Sequence, residues 1–390
     1  MTGTATDWRV LDGVTTTWFE APSLVTGAAL AVRVLELSDD TTVDLRATGL
    51  RVRLSGDDHV DAVSAAARDL GLVGDPTRLQ QLGVVLESPD PAVVRPFWQR
   101  VLDYAPGPDG GLLDPLRRDP AIEIRRSTDE RPLRNRFHLD VVRPAPAVQR
   151  AAPGEGSGPY GVRHADPDGN ELDLVPGDAL GEGSATADWQ AVFGAVACYR
   201  TTPTQQRELT TAAAALADDA GFPLVIDLRP GLVVLDSGKD QWEAGAHGLQ
   251  LDFTDLAGRL QTAARQLGAT ADPGRARFVQ LVLDAADVDA VRAFWVAALG
   301  YTPDPRAGVS DLHDPRRLDP VLVLQELDVT ETERRRQRNR VHLELAVHSG
   351  VARTRVDAAV AAGGRLLDES EGCWRVADPE GNDLVVLGGA

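Results

Sequence analysis

Two histidines occupy matching places in a short strand pattern that occurs twice in the chain. Residues 135–140 read Asn-Arg-Phe-His-Leu-Asp, and residues 339–344 read Asn-Arg-Val-His-Leu-Glu, an offset of 204 residues. Alternation along a strand would place Phe137 on one face and His138 and Asp140 on the other. A histidine among charged neighbours suits a ligand in a pocket, but it equally suits a solvated surface residue. The surrounding elements must decide between these interpretations.

The composition is that of a globular protein with an acidic surface. At 390 residues the chain exceeds what one hydrophobic core usually serves, so two or more domains are expected. The net charge of −19 argues against nucleic acid, because phosphate binding needs a concentrated basic surface. The one dense basic run, Arg334 to Arg336, follows Glu331 and Glu333, which favours a solvated loop. Without a long apolar run or a signal-like N-terminus, the sequence predicts a cytoplasmic protein with no membrane partner.

Further blocks recur in the same order and indicate a head-to-tail duplication. Residues 90–98 return as 287–295 at an offset of 197, and the Asp-Pro-x-Gly-Asn block at 166–170 returns at 378–382, an offset of 212. Because the offset grows along the chain, the second copy has gained residues. Segment 178–187, rich in Gly, Ala and Ser, is the predicted linker.

A short segment of mixed helices and strands opens each copy, at residues 1–75 and again at 188–270. Apolar spacing and capping residues predict helices in both segments, and alternation predicts strands between them. The predicted helices are 25–37, 58–70, 204–220 and 254–267, and the predicted strands of the second segment are 223–236 and 247–253.

A longer segment closes each copy, at residues 79–177 and 276–389. Each reads strand, helix and strands, twice over, and ends in Asp-Pro-x-Gly-Asn, whose Gly and Asn tolerate positive φ. In the first copy Pro153 and Gly154 interrupt the second helix, whereas residues 351–362 form a regular amphipathic pattern. The second copy is therefore expected to be the more regular one.

The long segments resemble the vicinal oxygen chelate superfamily, the group of glyoxalase I, bleomycin-resistance proteins and extradiol dioxygenases. The resemblance rests on the helices with Phe97-Trp98 and Phe294-Trp295, the two His strands and the Asp-Pro-x-Gly-Asn endings. It covers both long segments. It implies an α+β fold with two glyoxalase-like domains of paired βαβββ modules, each curled into an open cup.

The short segments resemble pterin-4a-carbinolamine dehydratase, through Asp44-Leu45-Arg46 and the stretch 49–53 that follows it. That family needs a His-His-Pro group just before this strand for proton transfer on the pterin. The matching positions here are Asp39, Asp40 and Thr41, which supply no imidazole that titrates near neutrality. We expect two small, degenerate α/β partners of the cups, and residual pterin carbinolamine dehydratase activity is the least favoured function.

The resemblance also implies where a metal would bind, on the first and last strands of the modules, facing the cup floor. Matching positions in the first copy are Gly83, Arg125, His138 and Asp173. Matching positions in the second copy are Gln280, Gln325, His342 and Val385. Neither set has the two histidines and one carboxylate of an iron site, and Arg125 would repel a dication. The candidate ligands for a divalent Zn, Ni, Fe or Mn ion are His138, Asp173, Gln280 and His342.

Two classes of function remain open. One is a small-molecule-binding protein of the bleomycin-resistance type, in which polar and aromatic cup residues hold a ligand without metal. Its candidate ligand-binding residues are His138, Asp173, Arg125, Gln280, Gln325, His342 and Trp374. The alternative is a metal-dependent glyoxalase-like lyase or isomerase, in which the metal polarises a carbonyl and a carboxylate or His moves the proton. Tandem cups in one chain also predict a monomer or homodimer with two unlike pockets.

Overall fold

The computed structural model describes residues 7–11, 13–107, 110–241 and 251–389. In that part of the chain the helices are α1 (Leu24–Leu37), α2 (Val60–Asp69), α3 (Pro91–Leu102), α4 (Ala145–Ala151), α5 (Pro203–Ala220), α6 (Phe253–Gln266), α7 (Val288–Leu299), α8 (Thr332–Arg336) and α9 (Ser349–Ala361). Within the described residues, none of these helices combines the length and apolar character needed to cross a bilayer.

The strands are short and numerous, as expected for repeated small modules. They are β1 (Arg9–Leu11), β2 (Val14–Glu20), β3 (Thr42–Arg46), β4 (Gly49–Leu54), β5 (Gln80–Ser88), β6 (Ala105–Pro106), β7 (Leu112–Leu113), β8 (Ile122–Arg126), β9 (Phe137–Pro144), β10 (Arg163–Ala165), β11 (Glu171–Ala179), β12 (Trp189–Val192), β13 (Gly194–Arg200), β14 (Val225–Arg229), β15 (Leu232–Asp236), β16 (Thr270–Ala271), β17 (Phe278–Ala285), β18 (Thr302–Pro303), β19 (Leu312–His313), β20 (Leu322–Glu326), β21 (Val341–His348), β22 (Arg365–Ser370), β23 (Cys373–Ala377) and β24 (Asp383–Gly389). The predicted linker begins inside β11, whose last two residues pair with β12.

The chain divides into two compact units, each assembled from separated stretches of sequence. Unit 1 contains the described residues through Leu79, the short stretch 143–146 and residues 176–278. Unit 2 contains residues 80–142, residues 147–175 and the described residues from Val279 onward. Unit 1 thus gathers the two short segments, and unit 2 gathers the two long ones.

Unit 1 joins the two short segments through one antiparallel pair of strands. Its strand order is β1-β2-β4-β3-β14-β15-β13-β12, and β3 meets β14 with Asp44 opposite Asp227. Two buried ion pairs cross this seam: Arg46 contacts Asp227 at 2.7 Å, and Arg229 contacts Asp44 at 2.6 Å. Although burial alone would raise it, the arginines around Asp44 hold the pKa of that carboxyl well below its usual range. The Asp-Leu-Arg tripeptides therefore have a structural role in this unit.

The four predicted helices of the short segments are present, with ends within two residues of prediction. Ser23 caps α1 by accepting from the Thr26 amide, and Thr202 and Gln205 form a capping box on α5. The strand predicted at 247–253 lies mostly outside the described residues. Its last residue, Phe253, instead opens α6, where the Asp252 side chain accepts from the Thr254 amide.

Unit 2 contains two sheets that we name after their histidines. The His342 sheet has the order β22-β23-β24-β21-β5-β8-β7-β6. The His138 sheet has the order β11-β9-β17-β20-β19-β18, with β10 paired to β11. Helices α3, α7 and α9 contribute to one hydrophobic core shared with both sheets, in which Trp98 and Trp295 are fully buried. Those tryptophans donate to Asp166 and Asp378, so the aspartate of each Asp-Pro-x-Gly-Asn turn anchors a core helix.

The sheet pairing contradicts the expectation that each copy forms its own cup. Strand β5 of the first copy pairs antiparallel with β21 of the second, which sets Val85 opposite His342. In the other sheet, β9 of the first copy lies beside β17 of the second. Each sheet therefore combines the first half of one long segment with the second half of the other.

The repeated Asn-Arg motif holds this exchanged arrangement together. The Oδ1 atom of Asn339 accepts from the Arg136 amide at 2.8 Å, and the Oδ1 atom of Asn135 accepts from the Arg340 amide at the same distance. The amide groups of these asparagines donate to the two turn asparagines, Asn170 and Asn382. These four residues are the only asparagines in the sequence. We name this buried arrangement the asparagine clasp.

Candidate functional site

The His138 sheet presents a polar face because strand alternation sorts β9 into two kinds of residue. Phe137, Leu139 and Val141 enter the hydrophobic core. His138 and Asp140 point to the opposite face, where His138 is 5% exposed. The sequence pattern correctly predicted this division.

Three ligand-type side chains converge on that face. One ligand atom from each of His138, Asp140 and Asp173 lies within 4.8 Å of the other two. The His138 Nε2 atom is 3.5 Å from Asp140 Oδ1. Gln280 of β17 donates from Nε2 to Asp140 Oδ2 at 2.8 Å and so fixes the orientation of this carboxylate.

The electrostatics of this cluster suit a divalent cation. Burial lowers the pKa of His138 to about 4, so its imidazole is neutral and has a free lone pair at physiological pH. Asp140 and Asp173 supply negative charge that offsets the dehydration of an ion. The His138 Nδ1 and Gln280 Oε1 atoms are buried and have no hydrogen-bond partner. Because buried polar atoms are rarely left unpaired, the residues present fit a bound metal ion.

Arginines border the cluster on one side. Arg163 Nε lies 4.0 Å from Asp173 Oδ1 and 3.7 Å from Glu171 Oε2. Arg134 also contacts Glu171. Both guanidinium groups therefore share Glu171, and Arg163 also reaches Asp173 at the limit of ion-pair distance.

The residues that the sequence grouped with His138 and His342 are exchanged in the structure. Arg125 lies in the His342 sheet, where it donates to Glu344 at 3.1 Å, so its predicted grouping with His138 is wrong. Gln280 bonds Asp140, so its grouping with His342 is also wrong. Gln325 is exposed on β20 of the His138 sheet, two strands from β9, and does not share a sheet with His342. All three errors follow from assigning each cup to a single copy.

Gly83 and Val385 occupy the His342 sheet, each directly opposite Glu344 on a neighbouring strand. Neither side chain offers a ligand atom. Trp374 was predicted to line a cup, and this is wrong. It faces Val386 across the β23–β24 pair and packs against the hydrophobic core, on the face opposite to Arg375.

The carboxylates on the polar face around His342 are paired with arginines and are not free to bind a cation. His342 Nδ1 lies 3.5 Å from Glu87 Oε1, and burial lowers the pKa of His342 to about 4. Although burial alone would raise it, Arg338 and Arg131 lower the pKa of Glu87 to about 2. Arg125 bonds both Glu123 and Glu344. The carboxylates here already have cationic partners.

Sequence reasoning missed Asp140 as a site residue. Its signal was present, since alternation places it on the same face as His138, two residues further along the strand. A third carboxylate–histidine group, Asp304 with Asp311 and His313, is less suited to a metal because Arg306 forms two hydrogen bonds with the Asp304 carboxylate.

A family model described as a glyoxalase-like domain matches residues 83–175 and 280–387. These matches cover just over half of the chain, so the protein belongs to the glyoxalase-like domain family. Two matched segments fit a tandem duplication, and they support the resemblance of the long segments to the vicinal oxygen chelate superfamily. The family model does not match the short segments, so their resemblance to the dehydratase stays a prediction. No curated protein matches the chain.

Two solved structures that align with the chain are a glyoxalase I and a glyoxalase-related enzyme. Glyoxalase I from Zea mays aligns at 12% identity over 80% of this chain and 92% of that chain, with a TM-score of 0.40. A glyoxalase-related enzyme from Fulvimarina pelagi aligns at 20% identity over 27% of this chain and 85% of that chain, with a TM-score of 0.22.

Proposed function

We propose that the protein is a metal-dependent lyase or isomerase of the glyoxalase-like type that acts on a small oxygen-bearing molecule. The observation that carries this proposal is the convergence of His138, Asp140 and Asp173 on one sheet face. The unpaired Gln280 Oε1 and His138 Nδ1 atoms support it, because both are buried donor atoms suited to a cation. The metal-free alternative is disfavoured for this face.

The side chains of such a site would have different roles. A bound divalent ion would act as a Lewis acid on a substrate carbonyl. His138 and Asp140 are buried and held by neighbours, which suits them to binding and orienting. The Asp173 side chain is 28% exposed and that of Asp140 only 13%. Asp173 is therefore the better placed carboxylate to accept a proton from a bound substrate.

Metal content tests this proposal on the full chain purified without a His tag. After loading with zinc, nickel, iron or manganese and desalting, we expect one tightly bound ion per chain by elemental analysis. His138→Ala and Asp140→Asn should each abolish retention. His342→Ala is the matched control, since it removes the equivalent histidine of the other sheet, and it should retain the ion.

Three outcomes would overturn the metal site. The first is wild-type protein that takes up none of the four metals. The second is equal retention by all three variants, which would show that the ion binds elsewhere. The third is loss of metal in His342→Ala alone, which would show that the ion binds in the His342 sheet.

The His342 sheet favours the second function, small-molecule binding without metal. The observation that supports this function is the pairing of Arg125 with both Glu123 and Glu344. Because these carboxylates are already paired with a guanidinium group, they are not free to bind a cation. A thermal-shift screen of small polar aromatic compounds on the Asp140→Asn variant tests this. Hits that disappear in Arg125→Gln but persist in Arg353→Gln, an arginine paired elsewhere on the surface, would support it.

A further inference from the structure

A cleft in unit 2 is lined by arginines from four separate stretches of the chain. Its volume is about 430 Å³. The arginines are Arg136, Arg335, Arg336, Arg338, Arg365 and Arg375. Two carboxylates, Glu380 and Asp383, also line it. We name this feature the arginine cleft, and it includes none of the residues of the metal cluster.

Four of the six arginines have a carboxylate partner, and two do not. Arg375 binds Asp383 at 2.5 Å, and Arg338 binds Glu87 at 2.8 Å. Arg336 lies 3.2 Å from Glu333, and Arg136 lies 3.7 Å from the Glu380 carboxylate. Within the described ranges, Arg335 and Arg365 have no carboxylate within ion-pair distance. Two arginines without a carboxylate partner therefore lie in one cleft of a chain whose net charge is −19.

A second observation points to a ligand. The Arg136 side chain is 1% exposed, yet its Nε atom has no hydrogen-bond partner, and neither has the buried Nε atom of Arg335. The Nη1 atom of Arg136 donates to the Glu380 carbonyl at 3.0 Å, which fixes the guanidinium at the cleft. A buried N–H group left without an acceptor is costly, and an oxygen atom of a bound anion would relieve that cost.

We propose that the arginine cleft binds a small molecule that carries phosphate groups. Guanidinium groups match phosphate oxygens with paired, charge-assisted hydrogen bonds. The volume lies in the usual range of small-ligand pockets. A long polyanion such as nucleic acid is disfavoured because the remaining surface is strongly acidic and would repel it. The basic run at Arg334 to Arg336, interpreted from sequence as a solvated loop, thus contributes to a pocket through Arg335 and Arg336.

Calorimetric titration with inorganic pyrophosphate tests this on metal-free full-length protein at fixed ionic strength. Metal-free protein is required because pyrophosphate also chelates cations. We expect saturable binding by the wild type and weaker binding of orthophosphate. The double variant Arg335→Gln/Arg365→Gln removes two arginines without stranding a carboxylate. Its affinity should fall at least about tenfold, because charge-assisted hydrogen bonds to the phosphate oxygens are lost.

The matched control is Arg259→Gln/Arg353→Gln, which removes two exposed arginines outside the cleft. Its affinity should stay within about twofold of wild type, because exposed distant charges are screened. Arg336→Glu, a charge reversal at an exposed position, provides a second test if the double variant is poorly folded, and it too should weaken binding. No saturable heat in the wild type, or equal losses in cleft and control variants, would overturn the proposal.

Discussion

His342 illustrates how a buried neutral imidazole makes stability depend on pH. Burial lowers its folded pKa to about 4 from a usual 6.5, so between these values only the unfolded chain binds the proton. Stability contributed by neutral His342 is complete above pH 6.5 and is lost as pH falls towards 4. The loss is about 3 kcal/mol at most, from the shift in pKa.

Urea unfolding of wild type and His342→Gln at several values between pH 7 and pH 4 checks this. The variant should show a shallower fall in the free energy of unfolding over that window. The matched control is His59→Gln, which removes a half-buried histidine whose side chain makes no capping hydrogen bond at the start of α2. Parallel profiles for wild type and His342→Gln would contradict the prediction.

Single-residue roles were predictable where they depend on strand alternation and not where they depend on partner strands. The alternation of β9 placed His138 and Asp140 on one face, and this is confirmed. Trp374 was misplaced although it lies two residues before the core residue Val376 on the same strand, so the same rule could have assigned it. Arg125 could not be placed from local pattern, because its partner Glu344 comes from the other copy.

At the scale of elements, helices and turns were predictable and the choice of strand partner was not. Strands β9 and β21 share a His-Leu-acid pattern and the same alternation of apolar residues, so this pattern does not tell which of them pairs with β5. Long-range contacts make the choice, and the asparagine clasp is one of them. A local pattern contains no information about such a choice.

The asparagine clasp should therefore contribute strongly to stability. Asn339→Ala removes two buried hydrogen bonds, to the Arg136 amide and to Asn382, and leaves their partners unsatisfied. We expect a loss of roughly 2–4 kcal/mol in the free energy of unfolding, from two such groups. Asn135→Ala should cost a similar amount, because it makes the reciprocal bonds.

Chemical denaturation of both variants measures these losses. Thr211→Ala is a control for a polar contact that is exposed on α5, and it should change stability by less than about 0.5 kcal/mol. Losses near that of the control in both asparagine variants would show that the clasp is not what holds the exchanged halves together.

At the scale of the whole molecule, the exchanged pairing predicts the oligomeric state. The β5–β21 pair and the β9–β17 neighbours already join complementary half-segments within one chain, so no second copy is needed to complete either sheet of unit 2. We therefore expect a monomer, with sedimentation at the chain mass of 41.6 kDa over a wide concentration range.

Separately expressed copies, residues 1–180 and 181–390, would each lack half of both sheets. They should be unstable alone and should form a one-to-one complex when mixed during refolding. Independent folding of each copy, or an obligate oligomer of the intact chain, would contradict this account of the exchange.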